Sequence, residues 1–197
     1  MIAVTGFNAT IVLELRKLLP KKEKVVRLGD HKEGTCSRYL LAAGVLHNKR
    51  IVDQTDSEAK ESMWVNALNP IGTCELILEN NPKARICIIG SKAGEAGSYD
   101  HVYAAAKAGV HNYVRNARIM KDQQIVCIAP TIIMDSGMTR RRNEDGMESL
   151  RRRVLEHPKK RFLKAKEVAR LVHFLLYIDE GYISNTVIEM KGGPGWW

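Results

Sequence analysis

Short apolar segments alternate with helical segments along all 197 residues, and this alternation restricts the possible folds more than any other feature of the chain. Strands separated by helices form a parallel sheet, and the helices then cover both of its faces. Most of the apolar segments lack a polar–apolar alternation, as expected of strands that are buried on both faces. The sequence therefore predicts an α/β fold. Its strands are predicted at residues 2–5, 24–28, 39–42, 85–89, 125–129 and 186–189.

Capping and breaking residues mark the helices between these strands. A helix over residues 10–19 ends at Pro20, and the spacing of Thr55 and Glu58 is typical of a capping box that opens a helix extending toward residue 79. Another helix is predicted over residues 101–120. The last helix has an apolar stripe at helical spacing, formed by Val168, Leu171, Val172, Leu175 and Leu176.

The length and composition predict one domain over residues 1–197 with its own apolar core. We expect a cytoplasmic protein, because the N-terminus has no signal-peptide features and no apolar run approaches the ~20 residues of a membrane span. The cysteines show no Cys-x-x-Cys or metal-ligand spacing, so we expect reduced, mostly buried thiols and no metal site. They are Cys36, Cys74, Cys87 and Cys127.

Ser91, Tyr103 and Lys107 carry the clearest chemical signal. Positions i and i+4 of a helix share a face, so the ammonium of Lys107 can lie close to the phenol of Tyr103. We expect this positive neighbour to lower the pKa of Tyr103, because it favours the phenolate. With the Ser91 hydroxyl to hold a developing oxyanion, these groups can move a proton on and off a carbonyl or alcohol oxygen. The histidines on this helix, His101 and His111, are interpreted as surface residues.

A serine followed by Tyr-x-x-x-Lys resembles the active site of the short-chain dehydrogenase/reductase family, and further landmarks follow in the family's order over almost the whole chain. They are Val4-Thr5-Gly6, Leu41-Ala42-Ala43-Gly44, Asn69-Pro70-Ile71-Gly72, Ala129-Pro130, Ser136-Gly137-Met138 and Gly192-Gly193. The resemblance implies a Rossmann-like, doubly wound parallel sheet. It also implies an NAD(P)-dependent oxidoreductase that interconverts a carbonyl and an alcohol, nearest in kind to the 3-oxoacyl-carrier-protein reductases.

The same resemblance implies four catalytic residues. Tyr103 is the general acid and base, and Ser91 hydrogen-bonds the oxygen of the substrate. Lys107 lowers the pKa of the phenol and holds the nicotinamide ribose, while Asn69 anchors the water that relays protons.

The interval between the second and third predicted strands is short for this family. Longer relatives use it for a helix, a strand and another helix, whereas this chain has only residues 31–38, too few for a helical crossover. We therefore predict six strands, with the family's usual third strand missing. The strand at 24–28 then becomes an edge of the sheet, with Lys24 and Arg27 as charged guards against pairing.

The resemblance assigns a nicotinamide dinucleotide, NADP or NAD, to the turn after the first strand and to the neighbouring strand ends. The candidate cofactor-binding residues are Gly6, Asn8, Thr10, Ile11, Ala43, Gly44, Tyr103, Lys107, Pro130 and Ile133. Two of the three glycines of the family's phosphate turn are missing, so the side chains of Thr10 and Val12 can crowd the ligand or the strand. A turn that no longer binds phosphate stays open as the alternative.

Basic residues near the second strand favour NADP over NAD. Arg16, Arg27 and Lys32 are candidates for contact with a 2'-phosphate. The missing strand removes part of the adenine pocket, so we expect weak cofactor binding unless a partner subunit completes the site.

Most of the net charge of +9 lies in segment 139–166. This charge suggests an anionic substrate or carrier, such as an acyl group linked to phosphopantetheine or coenzyme A. Arg141 and Arg152 are separated by about three helical turns, so the arginine triplets can share a face. A solvated basic lid without a partner stays open. Nucleic acid is a poor fit, because Phe162 is the segment's only aromatic residue.

Two functions follow from the sequence. The first is an NAD(P)-dependent reductase of a small carbonyl or alcohol substrate. The alternative is a protein of the same fold with weak or no catalysis that serves as a binding or assembly module. The family's usual assembly predicts a homodimer or homotetramer through the helices near 56–79 and 101–120, with Trp196 and Trp197 in an interface.

Overall fold

The computed structural model describes residues 1–30, 36–142 and 144–193, and its centre is a parallel sheet of six strands. The strand order is β2-β1-β3-β4-β5-β6. The chain runs outward from β1 to β2 and then crosses back to β3, so the order reverses beside β1. This doubly wound arrangement confirms the predicted fold class. The strands are β1 Ile2–Thr5, β2 Val25–Arg27, β3 Arg38–Leu41, β4 Arg85–Ile89, β5 Gln124–Pro130 and β6 Thr186–Met190.

The second strand lies at one edge of the sheet, as the short interval after it predicted. Among the described residues no strand lies beyond β2. Lys24 and Arg27 are both exposed at this edge. The middle of the short connection, residues 31–35, lies outside the described residues and includes the cofactor candidate Lys32.

Helices cover both faces of the sheet. None of them, within the described ranges, is both long and apolar enough to cross a membrane. A five-residue π turn, Trp64–Leu68, joins α2 to α3, and a second one, Phe174–Ile178, extends α8. The helices are α1 Thr10–Leu18, α2 Asp56–Met63, α3 Asn69–Asn80, α4 Ala93–Ala96, α5 His101–Asn116, α6 Gly137–Arg140, α7 Glu144–Glu156 and α8 Ala165–His173.

The predicted helix boundaries hold at the start of α2 and differ at the end of α5. The capping box is present, because the N–H of Thr55 donates to Glu58 and the N–H of Glu58 donates to the Thr55 hydroxyl. The α5 helix ends at Asn116, four residues before the predicted boundary. The side-chain amide of Asn185 donates to the carbonyls of Val114 and Ala117, and it thereby terminates the helix early.

Apolar side chains pack on both faces of the sheet. Along β5, Val126 and Ile128 join the core that contains α1 and α8, whereas Ile125 and Cys127 join the core that contains α3 and α5. Each of these four side chains is at most 1% exposed. The strands therefore show no polar–apolar alternation, as predicted. All four cysteines are buried thiols, which confirms the prediction for their side chains.

Val12 occupies the position of the third glycine of the family's phosphate turn, and it is fully buried in the core beneath α1. We expect Val12→Gly to lower the free energy of unfolding by about 2 to 4 kcal/mol, because it removes a buried side chain and places glycine in a helix. Leu13→Gly is the matched control, since Leu13 is 43% exposed. Urea denaturation of both variants checks this. Equal losses of unfolding free energy in Val12→Gly and Leu13→Gly would contradict the packing of Val12 in the core.

Candidate active site

A cleft of about 1280 Å³ opens at the carboxyl ends of the strands, beside the point where their order reverses. Ligands of doubly wound sheets bind at this place. Of the twelve predicted site residues, Asn69 alone does not line the cleft. The eleven that line it are Gly6, Asn8, Thr10, Ile11, Ala43, Gly44, Ser91, Tyr103, Lys107, Pro130 and Ile133.

Ser91 and Tyr103 meet inside this cleft. Ser91 follows β4, and its hydroxyl accepts the N–H of Ala93 at 3.1 Å. Tyr103 lies in the first turn of α5, which is capped by the buried carboxylate of Asp100 through the Tyr103 N–H at 3.0 Å. The Ser91 hydroxyl lies close enough to the phenol to lower its pKa, and Tyr103 is 9% exposed. The pair thus presents two adjacent hydroxyl groups to a substrate oxygen.

Burial controls the protonation of the tyrosine and lysine. Desolvation raises the pKa of Tyr103, the hydrogen bond from Ser91 opposes this, and the charge of Asp100 adds to it. The ammonium of Lys107 lies 5.8 Å from the centre of the Tyr103 ring and donates to the carbonyl of Ile89 at 3.0 Å. The prediction that Lys107 lowers the pKa of Tyr103 is therefore wrong for this structure. Burial also lowers the pKa of Lys107, to about 8.

The predicted role of Asn69 is not supported by its position, because its side chain is exposed at the start of α3. Asn66, three residues earlier, is fully buried. Its amide donates to the carbonyl of Val45 at 2.9 Å, and its oxygen accepts the N–H of Val45 at 3.2 Å. Asn66 therefore fixes the segment that follows the cleft residue Gly44. The π turn over Trp64–Leu68 advances each residue by a smaller angle than an α-helix, which changes the side that Asn69 faces.

The turn after β1 retains the backbone geometry of an anion site. Gly6 has a φ of 63°, and a Cβ there would lie 2.7 Å from the carbonyl oxygen of Ala42. The α1 helix begins at Thr10 without a side-chain cap, so its first N–H groups remain available to an anion. Val12 packs in the core and does not line the cleft, contrary to the predicted crowding. These residues fit the diphosphate of a dinucleotide.

Two of the predicted 2'-phosphate contacts lie together at the rim of the cleft. The guanidinium groups of Arg16 and Arg27 lie 3.9 Å and 5.0 Å from the centre of the Phe7 ring. In the described part of the chain, Nε and Nη2 of Arg16 are buried without a hydrogen-bond partner. Arginine nitrogens in such a position can donate to a phosphate.

Basic residues of segment 139–166 form one wall of the cleft. Arg141, Arg142 and Arg153 line it, and Nε of Arg142 is buried without a hydrogen-bond partner among the described residues. Burial and the charge of Arg153 lower the pKa of Arg142. Arg152 instead pairs with Glu148 on the exposed side of α7. The arginine triplets therefore do not share one face, because the chain leaves the helix between α6 and α7.

His111 differs most from its interpretation as a surface residue. It is 1% exposed and packs beneath the segment that carries Ser91. The sequence contains a signal for this position, because Gly90 and Gly94 have no side chains that would occupy the same space.

Among the described residues, no group of three or more His, Cys, Asp or Glu side chains is arranged to hold a metal ion.

The strand order and the cleft at the strand ends define a Rossmann-like fold class, and comparisons with known proteins identify the family. A family model described as enoyl-(acyl carrier protein) reductase matches residues 23–194. The 3-oxoacyl-(acyl-carrier-protein) reductase FabG of Pseudomonas aeruginosa is 30% identical over 158 residues, which are 77% of this chain and 62% of that protein. The chain belongs to the short-chain dehydrogenase/reductase family. It spans less than two thirds of the length of the curated relatives it matches first.

Solved structures share the fold at low sequence identity. A short chain dehydrogenase family protein from Francisella tularensis has a TM-score of 0.84 and 18% identity, and the match covers 98% of this chain and 97% of that one. A small-chain dehydrogenase in complex with NADPH has a TM-score of 0.82 and 17% identity, with coverage of 98% and 96%. At these identities the likeness concerns the fold alone.

The buried charge of Lys107 predicts a stability that depends on pH. The folded pKa of about 8 lies below the usual 10.5, so the unfolded chain binds the proton more tightly between these values. The free energy of unfolding should therefore rise with pH across this window. Lys107→Met removes the cost of the buried charge, and we expect it to stabilise the protein at pH 7 by about 2 kcal/mol after the lost hydrogen bond is subtracted.

Urea denaturation at several pH values measures this effect. The advantage of Lys107→Met should shrink as the pH rises above about 8. Lys121→Met is the control, because Lys121 is exposed and its removal takes no charge out of the interior. A constant or negative difference for Lys107→Met would contradict the buried charge.

Proposed function

We propose that this protein is an NAD(P)-dependent oxidoreductase that interconverts a carbonyl and an alcohol, with Tyr103 as the general acid and base. The observation that carries the proposal is the meeting of Ser91 and Tyr103 in one cleft, with the buried ammonium of Lys107 beside them. Both hydroxyls can donate to a carbonyl oxygen, which polarises the carbonyl and orients it. The nicotinamide, when bound, supplies or accepts the hydride.

The protonation states suit the proton-donating step of a reduction. A phenol with a raised pKa holds its proton at neutral pH, so Tyr103 is ready to protonate the alkoxide that develops on the substrate oxygen. Lys107, with a pKa of about 8, is largely charged at pH 7, and its proposed role is to hold the nicotinamide ribose. Asn66, rather than Asn69, serves as the fourth residue, and it acts by fixing the Gly44–Val45 segment.

NADP is the proposed cofactor, in preference to NAD. Arg27 lines the cleft, and the unpartnered nitrogens of Arg16 lie on the same Phe7 ring at its rim. Together they offer the positive charge that a 2'-phosphate requires. The uncapped N-terminus of α1 takes the diphosphate. A structural neighbour in complex with NADPH is consistent with this preference.

The substrate is proposed to be anionic or carried by an anionic group, such as a 3-oxoacyl thioester of coenzyme A or of an acyl carrier protein. The support is the wall formed by Arg141, Arg142 and Arg153, which lines the same cleft as Tyr103. The similarity to a 3-oxoacyl-(acyl-carrier-protein) reductase agrees with this substrate class. An anion at this wall would satisfy the buried Nε of Arg142 and relieve its repulsion from Arg153.

We propose that residues 1–197 act as one domain in a homodimer or homotetramer. Large apolar side chains are exposed along the continuous α2–α3 unit, where burial in an interface would stabilise an assembly. Trp64 is 57% exposed, Leu68 is 55% exposed and Leu76 is 64% exposed. A second subunit would complete the adenine pocket only if the assembly covers the β2 edge of the sheet.

A second candidate function is a binding or assembly module without turnover. The observation that favours it is the edge position of β2, because the adenine side of the cleft is bounded by no further strand within the described residues. Titration with NADPH and NADH, followed by the fluorescence of the reduced nicotinamide, separates the two functions. Failure of both to bind at millimolar concentration would leave the binding module as the function.

Tyr103→Phe tests the catalytic proposal. We expect turnover of a 3-oxoacyl thioester with NADPH to fall by about 100-fold or more, because the proton donor is lost, while NADPH affinity stays close to that of the parent protein. Tyr113→Phe is the matched control on the same helix, since Tyr113 bonds Glu75 away from the cleft. Near-normal turnover by Tyr103→Phe would remove Tyr103 from the mechanism.

Arg142→Gln tests the anionic substrate class. We expect KM for acetoacetyl-coenzyme A to rise about tenfold or more, because a charged hydrogen bond is lost, with KM for a neutral ketone unchanged. Arg152→Gln is the control, because Arg152 lies on the exposed side of α7 and pairs with Glu148. Equal effects of Arg142→Gln on the charged and neutral substrates would contradict the proposal.

A further inference from the structure

The ring of His111 fills the inside of the turn that carries Ser91. We call residues 90–94 the serine turn. A Cβ on Gly90 would lie 2.6 Å from Nε2 of His111, and a Cβ on Gly94 would lie 2.8 Å from Cε1 of the same ring. Neither distance is possible for a real side chain, so both glycines are required for the ring to fit. The serine turn is therefore folded around His111.

Hydrogen bonds fix the orientation and tautomer of this ring. The backbone N–H of Ser91 donates to Nε2 at 3.4 Å, and a backbone N–H can only donate. Nε2 must therefore be unprotonated, and the ring proton lies on Nδ1. Nδ1 lies 3.2 Å from Oε1 of Glu95, and that carboxylate also accepts from Arg115 at 2.6 Å. The network runs from the exposed Arg115 through Glu95 and His111 to the backbone of Ser91.

We propose that His111 is a positioning residue that holds Ser91 against Tyr103 while its ring is neutral, and that protonation of the ring releases the serine turn. This rests on the proposed function in so far as it concerns turnover. A protonated Nε2 is a donor facing the N–H of Ser91, so the attraction becomes a repulsion. The Ser91 hydroxyl would then no longer be held beside the Tyr103 phenol. The network thus makes the catalytic pair sensitive to acid.

The groups around His111 determine where it titrates. Glu95 on α4, Arg115 and Lys107 on α5, and the thiol of Cys127 on β5 are the titratable or charged groups that face it. Burial lowers the pKa of His111, the hydrogen bond and charge of Glu95 raise it, and the charges of Arg115 and Lys107 lower it further. The net direction is downward, so the ring is neutral at pH 7 and the release occurs only in acid.

His111→Gln and His111→Leu separate positioning from packing. The side-chain oxygen of glutamine can accept the N–H of Ser91 and does not titrate, so we expect kcat at pH 7 to be largely retained and the fall in acid to disappear. Leucine fills the space without an acceptor, and we expect kcat to fall about tenfold at every pH. His173→Gln is the control, because His173 lies on α8 away from the cleft and stacks on Tyr177. Its pH profile should match that of the parent protein.

Glu95→Gln provides a second variant, which changes a partner of the buried ring and keeps the ring itself. It removes the charge that raises the pKa of His111, so the fall in kcat should move to lower pH. An acid limb that persists in His111→Gln, or that stays in place in Glu95→Gln, would overturn the proposal. Full activity of a folded His111→Leu protein would do the same.

Nuclear magnetic resonance tests the same contact without any turnover. Histidine and amide ¹⁵N spectra, recorded over about pH 5 to 8, should show an Nδ1–H tautomer for His111 and a Ser91 amide signal that shifts with the midpoint of the His111 ring. In His111→Gln the Ser91 amide should not titrate. If no substrate is turned over, the proposed function fails, and these spectra alone decide the contact. An Nε2–H tautomer or a Ser91 amide that ignores the ring would refute it.

Discussion

Burial of the parallel sheet on both faces is the constraint on which the rest of this structure depends. Because every strand runs the same way, all carboxyl ends reach one edge, and the turns that follow β1, β3, β4 and β5 meet there. Those strand ends and turns carry Gly6, Gly44, Ser91 and Pro130 into one cleft. No local feature of these segments brings them together. Their proximity follows from the strand order, which in turn follows from helices that cover both faces.

The same burial determines the electrostatics of the site. Tyr103 and Lys107 are nearly inaccessible to solvent, so desolvation is the largest influence on both pKa values and opposes the charged forms. In this cleft the lysine donates to the Ile89 carbonyl, and burial favours a tyrosine that keeps its proton. The resting state is therefore an acid prepared to give a proton. Holding the charged Lys107 in this buried position lowers the free energy of unfolding.

The sequence predicted the fold and the residues that line the cleft better than it predicted which way individual side chains face. Short apolar runs between helical segments located the strands. The order of the motifs brought Ser91, Tyr103 and Lys107 together, because spacing along strands and helices is preserved on folding. The predicted place of Asn69 in the site was wrong, because a π turn changes the side of the helix on which the following residues lie. The spacing of apolar residues in the sequence does not indicate such a turn. His111 was misinterpreted for a related reason. Its burial depends on Gly90, which is close in space and distant in sequence.

The phosphate turn illustrates how a motif can lose residues without losing its geometry. Of the family's three glycines, only Gly6 must adopt a positive φ against the carbonyl of Ala42, and that glycine is retained. The third allows close packing of helix on strand, and Val12 replaces that close approach with a side chain that fills the core beneath α1. The anion-binding groups are backbone N–H groups, which every residue but proline supplies. Loss of glycine therefore changes how α1 is held more than what its N-terminus can bind.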